Sequence, residues 1–356
     1  MANQQGRGAD QPSDTVMAVP ALTIVITNHN YAEFVERAIS SALAQQDLDG
    51  EIEVVVVDDG STDDSRTIIE GFADRITAVF TPNDGQAAAF NRGFAASSGD
   101  IVIFLDADDV LWDGTGRRVI DAIEAEPTTV RVQFALDVID GDGHLTGETV
   151  PEPPKVLFAG DARPRLLTCP DDIVWQPTSG NAFRRSALSA VLPMPETPFR
   201  LCADYYLSSL VPLHGTVAVL SGTGGGYRVH GGNAHYSRSE HPSRLRTNIE
   251  RTYETHRALI AESRRLGLHQ LPSDPAEVRS VSFAANRLIS YRLDRAQHPI
   301  EGDSRLSLLR LGWSSAAARK DVRPLRRGAF AAWFLMMTVV PRRWLSAASR
   351  PFARLD

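Results

Sequence analysis

The sequence predicts an α/β fold, a mostly parallel sheet flanked by helices, with a helical C-terminal extension. Three observations predict it. Short apolar runs alternate with helix-compatible segments through the first third of the chain, and those runs end in clusters of Asp, Asn, Ser and Gly. From about His241 onward, spacings of three to four residues between apolar positions replace the strand-like runs.

The elements follow in order. Residues 22–27 (LTIVIT) form the first apolar run, and Asn30 with Glu33 has capping-box spacing ahead of a helix over 31–45. Residues 52–57 (IEVVVV) form the second run, closed by Asp58, Asp59, Gly60, Ser61, Thr62 and Asp63, with Ser61 placed to cap a helix reaching Phe72. Residues 76–80 read as a third strand, 87–96 as a helix, and 101–105 as a fourth strand. Ligands in such sheets bind beyond the carboxyl ends of the strands, so 27–30, 58–61 and 106–109 are expected to line one crevice.

The stretch DIVIFLDADD, residues 100–109, ends an apolar run in three carboxylates, Asp106, Asp108 and Asp109. So many charges at a strand end are costly to fold unless a cation sits among them, and a divalent metal held by oxygen ligands is the natural candidate. Alternation along an extended segment puts Asp106 and Asp108 on one side and Ala107 on the other. A lone triplet of this kind would be a solvated acidic turn. Its position after IVIFL, downstream of the other acid-rich strand end, favours the metal.

The blocks ITNHNY, VVVDDGSTDDS and NDGQAAAFNRGFAASSGDIVIFLDADD, with later LCADYYL and YRVHGGN, resemble the family 2 inverting glycosyltransferases, which use nucleotide sugars on a GT-A fold. The resemblance covers roughly residues 20–232. It implies a GT-A type, Rossmann-like catalytic domain over 21–240, between a disordered leader at 1–20 and a helical region at 241–356. It further implies that Thr27, His29 and Asp58 line the base and ribose pocket, with Asn30, Asp59, Asn83, Gln86 and Asp106 completing the nucleotide contacts. Asp106 and Asp108 would hold the ribose and a Mg²⁺ or Mn²⁺ on the diphosphate, with His230 as a further metal ligand. Gly180 and Asn181 would floor the donor and acceptor site, and Arg228 with His230 would reach the diphosphate or the metal. Asp204 matches the second acid of the family's Glu-Asp signature and is the expected general base, although Ala203 replaces the first acid. The implied donor is a UDP-sugar, and the implied acceptor is a glycan or a lipid-linked hydroxyl.

Several of these residues carry a plainer reading beside the functional one. Asn83 or Asp84 can simply cap the helix that follows, or that helix start can receive an anion. Asp204 can be the N-cap of a helix beginning at Tyr205, and Arg92, Arg184 and Arg185 can be solvated charges. The run GTGGG at 222–226 lacks the lysine of a phosphate loop and reads as a flexible turn. A sugar nucleotidyltransferase is the alternative enzyme class, but ITNHNY has neither the glycines nor the basic residue of its phosphate loop. A non-catalytic scaffold is the second alternative, and turnover of a nucleotide sugar distinguishes it.

Two cysteines, Cys169 and Cys202, are too few for a disulfide framework and point to a reducing interior. The polar first twenty residues contain no apolar core of a secretion signal, so a cytoplasmic setting is expected. The net charge of −7 divides into −14 before residue 301 and +7 after it, with no nucleic-acid-binding pattern. Leu245, Ile249, Tyr253, His256 and Ile260 mark a helix with one buried stripe, and further helices are expected over 276–296 and 304–319. The run AFAAWFLMMTVV at 329–340 spans about 18 Å as a helix, short of the roughly 30 Å hydrocarbon layer. Its flanking arginines and Trp344 suit peripheral contact through 323–344 with the inner face of the cytoplasmic membrane. A core helix packed on the catalytic domain, or on a second subunit of a homo-oligomer, is the competing reading.

Overall fold

The computed structural model describes residues 21–45, 52–170, 176–231 and 242–345. The expected leader, the boundary at 240–241 and Asn233, which ends the block YRVHGGN, lie outside the described residues. The strands are β1 (Leu22–Asn28), β2 (Ile52–Asp59), β3 (Thr77–Thr81), β4 (Ile101–Asp106), β5 (Val110–Leu111), β6 (Thr129–Ile139), β7 (Leu145–Val150), β8 (Gly160–Asp161), β9 (Asn181–Arg184) and β10 (Thr216–Arg228). The helices are α1 (Val35–Leu43), α2 (Ser65–Glu70), α3 (Gln86–Ala95), α4 (Thr115–Ala125), α5 (Arg163–Leu166), α6 (Arg185–Val191), α7 (Ala203–Leu210), α8 (Pro242–Arg265), α9 (Val281–Leu293), α10 (Arg305–Ala318) and α11 (Pro324–Val339).

One mixed sheet runs β3-β2-β1-β4-β9-β6-β10-β5, with β7 beside β6 and β8 beside β10. Its first four strands are parallel, and β9 joins antiparallel to both β4 and β6. Period-two alternation explains why the central strands are apolar throughout. Leu22, Ile24 and Ile26 of β1 face one core with α1 and α4, while Val25 faces a second core with α3, α6 and α7. A third core joins α9, α10 and α11 through Leu288, Phe330, Trp333, Phe334 and Met337. Leu259 of α8 belongs to the second core, with Val25 of β1, so α8 links the helical region to the sheet.

Several local expectations are corrected. Asn30 does not cap α1, which begins at Val35 without a side-chain cap; Asn30 adopts a left-handed backbone and accepts a hydrogen bond from the Thr62 N–H at 2.7 Å. Ser61 does not cap α2, which begins at Ser65, but donates to Asp58 at 2.5 Å. Asp204 is not an N-cap: α7 begins one residue earlier, behind Cys202 in a left-handed conformation. The helix expected over 276–296 shortens to α9, because Ser280 caps it by accepting from the Phe283 N–H. The glycine run is no flexible turn but part of β10, paired with β6, and it packs closely there: a Cβ at Gly224 would fall 2.4 Å from the Phe134 ring.

Candidate active site

Strand register assembles the site. Thr27 pairs with Asp106 and Asn28 with Asp58 across adjoining parallel strands, so three acid- and amide-bearing ends converge at one edge. They open into a cavity of about 380 Å³. Thr27, His29, Asp59, Asn83, Gln86, Asp106 and Asp108 line it. Asn28, Tyr31, Tyr227 and the wall Arg200–Leu201–Cys202 also line it. That wall comes from a loop far away in sequence: Leu201 and Cys202 open the block LCADYYL, while Arg200 lies outside every block quoted from the sequence.

The rim is held by hydrogen bonds. The Asp59 carboxylate accepts from the backbone N–H groups of Asp84 at 2.9 Å and Gly85 at 2.8 Å. Arg200 donates to the Asp84 carbonyl at 2.9 Å and to the Asn83 side chain at 2.8 Å. Gly85 is required there: its φ is +96°, and a Cβ would lie 2.7 Å from the Arg200 Cα. His29 donates from Nδ1 to the Asp59 carbonyl at 2.7 Å, which fixes the neutral tautomer with Nε2 as acceptor for the amides of Asn83 at 3.1 Å and Asn30 at 3.2 Å. Asn30 therefore supports His29 from behind.

Asp58 does not line the cavity. It is buried, accepting from the Asn28 amide at 2.7 Å and from Ser61, and so orients Asn28. The Oδ1 of Asn28 is buried with no hydrogen-bond partner among the described residues. Gly180 and Asn181 also stand behind the cavity. A Cβ on Gly180 would meet the Gln176 side chain at 2.5 Å, and Asn181 Oδ1 accepts two bonds from the buried Arg131 guanidinium, at 3.0 and 2.6 Å. Asn181 is thus fully engaged in structure.

Four carboxyl groups crowd the strand end. Burial, then the charges of Asp108 and Asp204, push Asp106 up to about 8. Burial raises Asp108, opposed by His230, whose Nε2 lies 3.1 Å from the Asp108 carboxylate. Asp109 is raised well above its ordinary value by burial and by the other two acids, and is tied to Ser179 at 2.6 Å and to the Arg228 N–H at 2.8 Å. The Arg228 side chain faces the backbone, donating to the Asp108 carbonyl at 2.7 Å and to the carbonyls of Asp140 and Gly141, with its guanidinium 5.0 Å from the Phe34 ring. It braces the acidic turn rather than entering the cavity. His230 is packed between Phe34 and Tyr31.

Asp204, in the first turn of α7, is buried and pushed up to about 6, burial being the main cause. The Thr178 hydroxyl opposes the burial that raises Asp204 and Asp106. Gln86 links the same groups, donating to Asp106 at 3.3 Å and Thr178 at 3.4 Å while accepting from the Ala203 N–H at 2.9 Å. The Ala203 side chain is fully buried in the core, so no second acid stands there.

A divalent ion fits this donor set. Asp106 and Asp108 offer carboxylate oxygens to one cavity, and their raised proton affinity marks a surplus of negative charge that a cation would relieve. The ligand atoms of Asp106, Asp108 and His230 are not gathered within 4.8 Å of one another. The cluster that is so gathered among the described residues, Asp140, Asp142 and His144, lies in an exposed turn away from the cavity. Mg²⁺ and Mn²⁺ need only one or two carboxylates when phosphate oxygens and water complete the sphere.

An acid-lined cleft beyond the carboxyl ends of parallel strands is where open α/β sheets bind their ligands. The chain matches Glycosyl transferase family 2 over residues 23–192. It is 37% identical over 239 residues to an uncharacterized glycosyltransferase of Nostoc sp., covering 65% of this chain and 73% of the relative. It is also 37% identical over 128 residues to the succinoglycan biosynthesis protein ExoO of Rhizobium meliloti, covering 35% and 36% of the two chains. The fold resembles that of S. aureus TarS 1–349 in complex with UDP-GlcNAc, with a TM-score of 0.58 at 15% identity over 94% of this chain and 91% of that one. The chain belongs to glycosyltransferase family 2.

Proposed function

We propose that this enzyme is an inverting, divalent-metal-dependent transferase that moves a sugar from a UDP-sugar to a hydroxyl of a glycan or lipid-linked acceptor. The observation that carries the reading is the pair Asp106 and Asp108 lining one cavity, with the candidate base Asp204 buried behind it and near enough for its charge to raise Asp106. Mg²⁺ or Mn²⁺, bound through Asp106 and Asp108, would supply neutralisation of the departing diphosphate. The residues of the chain do the rest. Asn28 Oδ1, an acceptor still without a donor, and the His29–Asn83 rim orient the nucleoside. Asp204, ionised, takes the proton of the acceptor hydroxyl as its oxygen bonds to the anomeric carbon. The bond from that carbon to the phosphate oxygen breaks, and its electrons leave with the nucleoside diphosphate. A single displacement of this kind inverts the anomeric centre.

Uridine heads the donor panel because TarS, alike in fold, is described with UDP-GlcNAc and with UDP. The test combines UDP-sugar turnover with UDP binding in the wild type and Asp204→Asn. Retained UDP binding with turnover reduced by about 10³-fold or more supports the assignment. Undiminished turnover removes Asp204 from the mechanism, and a wild type that binds no nucleotide with Mn²⁺ present overturns the reading.

A further inference from the structure

The C-terminal helices leave an apolar surface uncovered. α11 buries Phe330, Trp333, Phe334 and Met337 against α9 and α10, and turns Leu325, Leu335, Met336 and Val339 outward at 88, 50, 40 and 72% exposure. No charged residue falls between Arg327 and Arg342, so the outward stripe of α11 is uncharged over more than three turns. α10 adds a parallel stripe of Leu306, Arg310 and Trp313 at helical spacing, all exposed.

The two stripes form one face. The Trp313 indole N–H donates to the Ala331 carbonyl at 3.0 Å, and Arg305 reaches the Thr338 carbonyl at 3.4 Å, which fixes the antiparallel register. Gly312 lets the helices close together, since a Cβ there would sit 2.4 Å from the Phe334 ring. Trp344, 56% exposed, continues the apolar edge past the end of α11.

Charge says what covers it. From Arg305 to Leu345 the sequence has nine basic residues and one acid, Asp321, which is paired with Arg319 at 2.9 Å. A second copy docked by a two-fold axis would press this basic set against itself. An anionic surface instead meets it with opposite charge, while the acidic remainder of the chain is repelled and turned away. No helix among the described residues is long and apolar enough to cross a membrane, so the stripes would lie in the interface plane.

We propose that the outward faces of α10 and α11 dock on an anionic lipid bilayer, Leu335, Met336, Val339 and Trp313 entering the headgroup boundary while the flanking arginines meet lipid phosphates. This surface stands apart from the transferase reading, and its test needs no sugar substrate.

The full chain is sedimented with phosphatidylcholine vesicles and with vesicles containing phosphatidylglycerol. Binding to the second, weakened by added salt, is expected. Leu335→Glu with Met336→Glu should lower the partition at least tenfold with the melting temperature unchanged. Arg323→Ala, Arg327→Ala and Arg343→Ala together should lower it on the order of 100-fold. Absence of sedimentation with either vesicle, or binding that ignores both sets of substitutions and salt, overturns the proposal. So does a concentration-dependent dimer, dispersed by the Leu335 and Met336 substitutions, in protein that ignores vesicles.

Discussion

Arg251 of α8 donates through Nη1 to the carbonyl of Leu201 at 2.9 Å, so a helix beyond the family-matched stretch braces the cavity wall from behind. Its charge also opposes the burial that raises Asp204.

Arg251→Ala is therefore expected to loosen the wall and to leave Asp204 with higher proton affinity. Turnover should fall, and the acidic limb of its pH profile should move upward relative to the wild type. A stability loss of about 1–2 kcal/mol follows from the lost charge-assisted bond. Rate profiles on both proteins decide the point, and an unmoved limb would show that Arg251 acts on folding alone.

Asp204 at about 6 gives the wild type its own pH signature. As the proposed base, Asp204 must be ionised, so turnover should rise through about pH 6 and then level. Stability runs the other way. A carboxyl whose folded value lies above its unfolded value contributes most below the unfolded value and loses that contribution as pH rises through the folded one. Between about pH 4 and 6 the metal-free protein should lose melting temperature, and Asp204→Asn should flatten part of that slope. A slope equal in both would contradict the burial-driven shift.

Asp108→Ala should abolish the extra stabilisation expected from Mn²⁺ on UDP binding, because it removes one of the two cavity-lining carboxylates proposed to hold the ion. For a ligand at about 100 times its Kd the wild type gains about 2.7 kcal/mol. Thermal melts with UDP, with and without Mn²⁺ or a chelator, read this out. An equal Mn²⁺-dependent gain in the variant would place the ion elsewhere.

Asn181→Ala removes the acceptor for the buried Arg131 guanidinium, whose pKa burial already lowers to about 10. A loss of about 2–3 kcal/mol in unfolding free energy is expected, with nucleotide affinity in the surviving fold little changed. Denaturant titration beside UDP binding separates the two effects, and a stable variant with lost UDP affinity would restore Asn181 to the ligand site.

The sheet was legible in sequence because buried parallel strands must be apolar runs and their ends must turn; 22–27, 52–57 and 101–105 announced both. Asp106, Asp108 and Asp59 could be placed at the cleft for the same reason, each closing such a run. Asp58 could not be told from Asp59, since only side-chain alternation and the Asn28 and Ser61 bonds decide which carboxylate faces inward. The Arg200–Cys202 wall was illegible because it meets the 83–86 turn through contacts more than a hundred residues apart. Caps failed at Asn30 and Ser61 because each side chain is engaged elsewhere: Asn30 accepts from Thr62 on the neighbouring loop, and Ser61 donates to Asp58 on its own turn while accepting from the Asn30 N–H.

The turn at Asn83, Asp84 and Gly85 is tethered from below by Asp59 and from above by Arg200 before any ligand arrives. On the proposed reading a nucleoside entering there would meet a ready-made contour and cost the chain little entropy on association. Amide hydrogens of Asp84 and Gly85 should accordingly exchange slowly in the free enzyme, and occupancy should add little further protection.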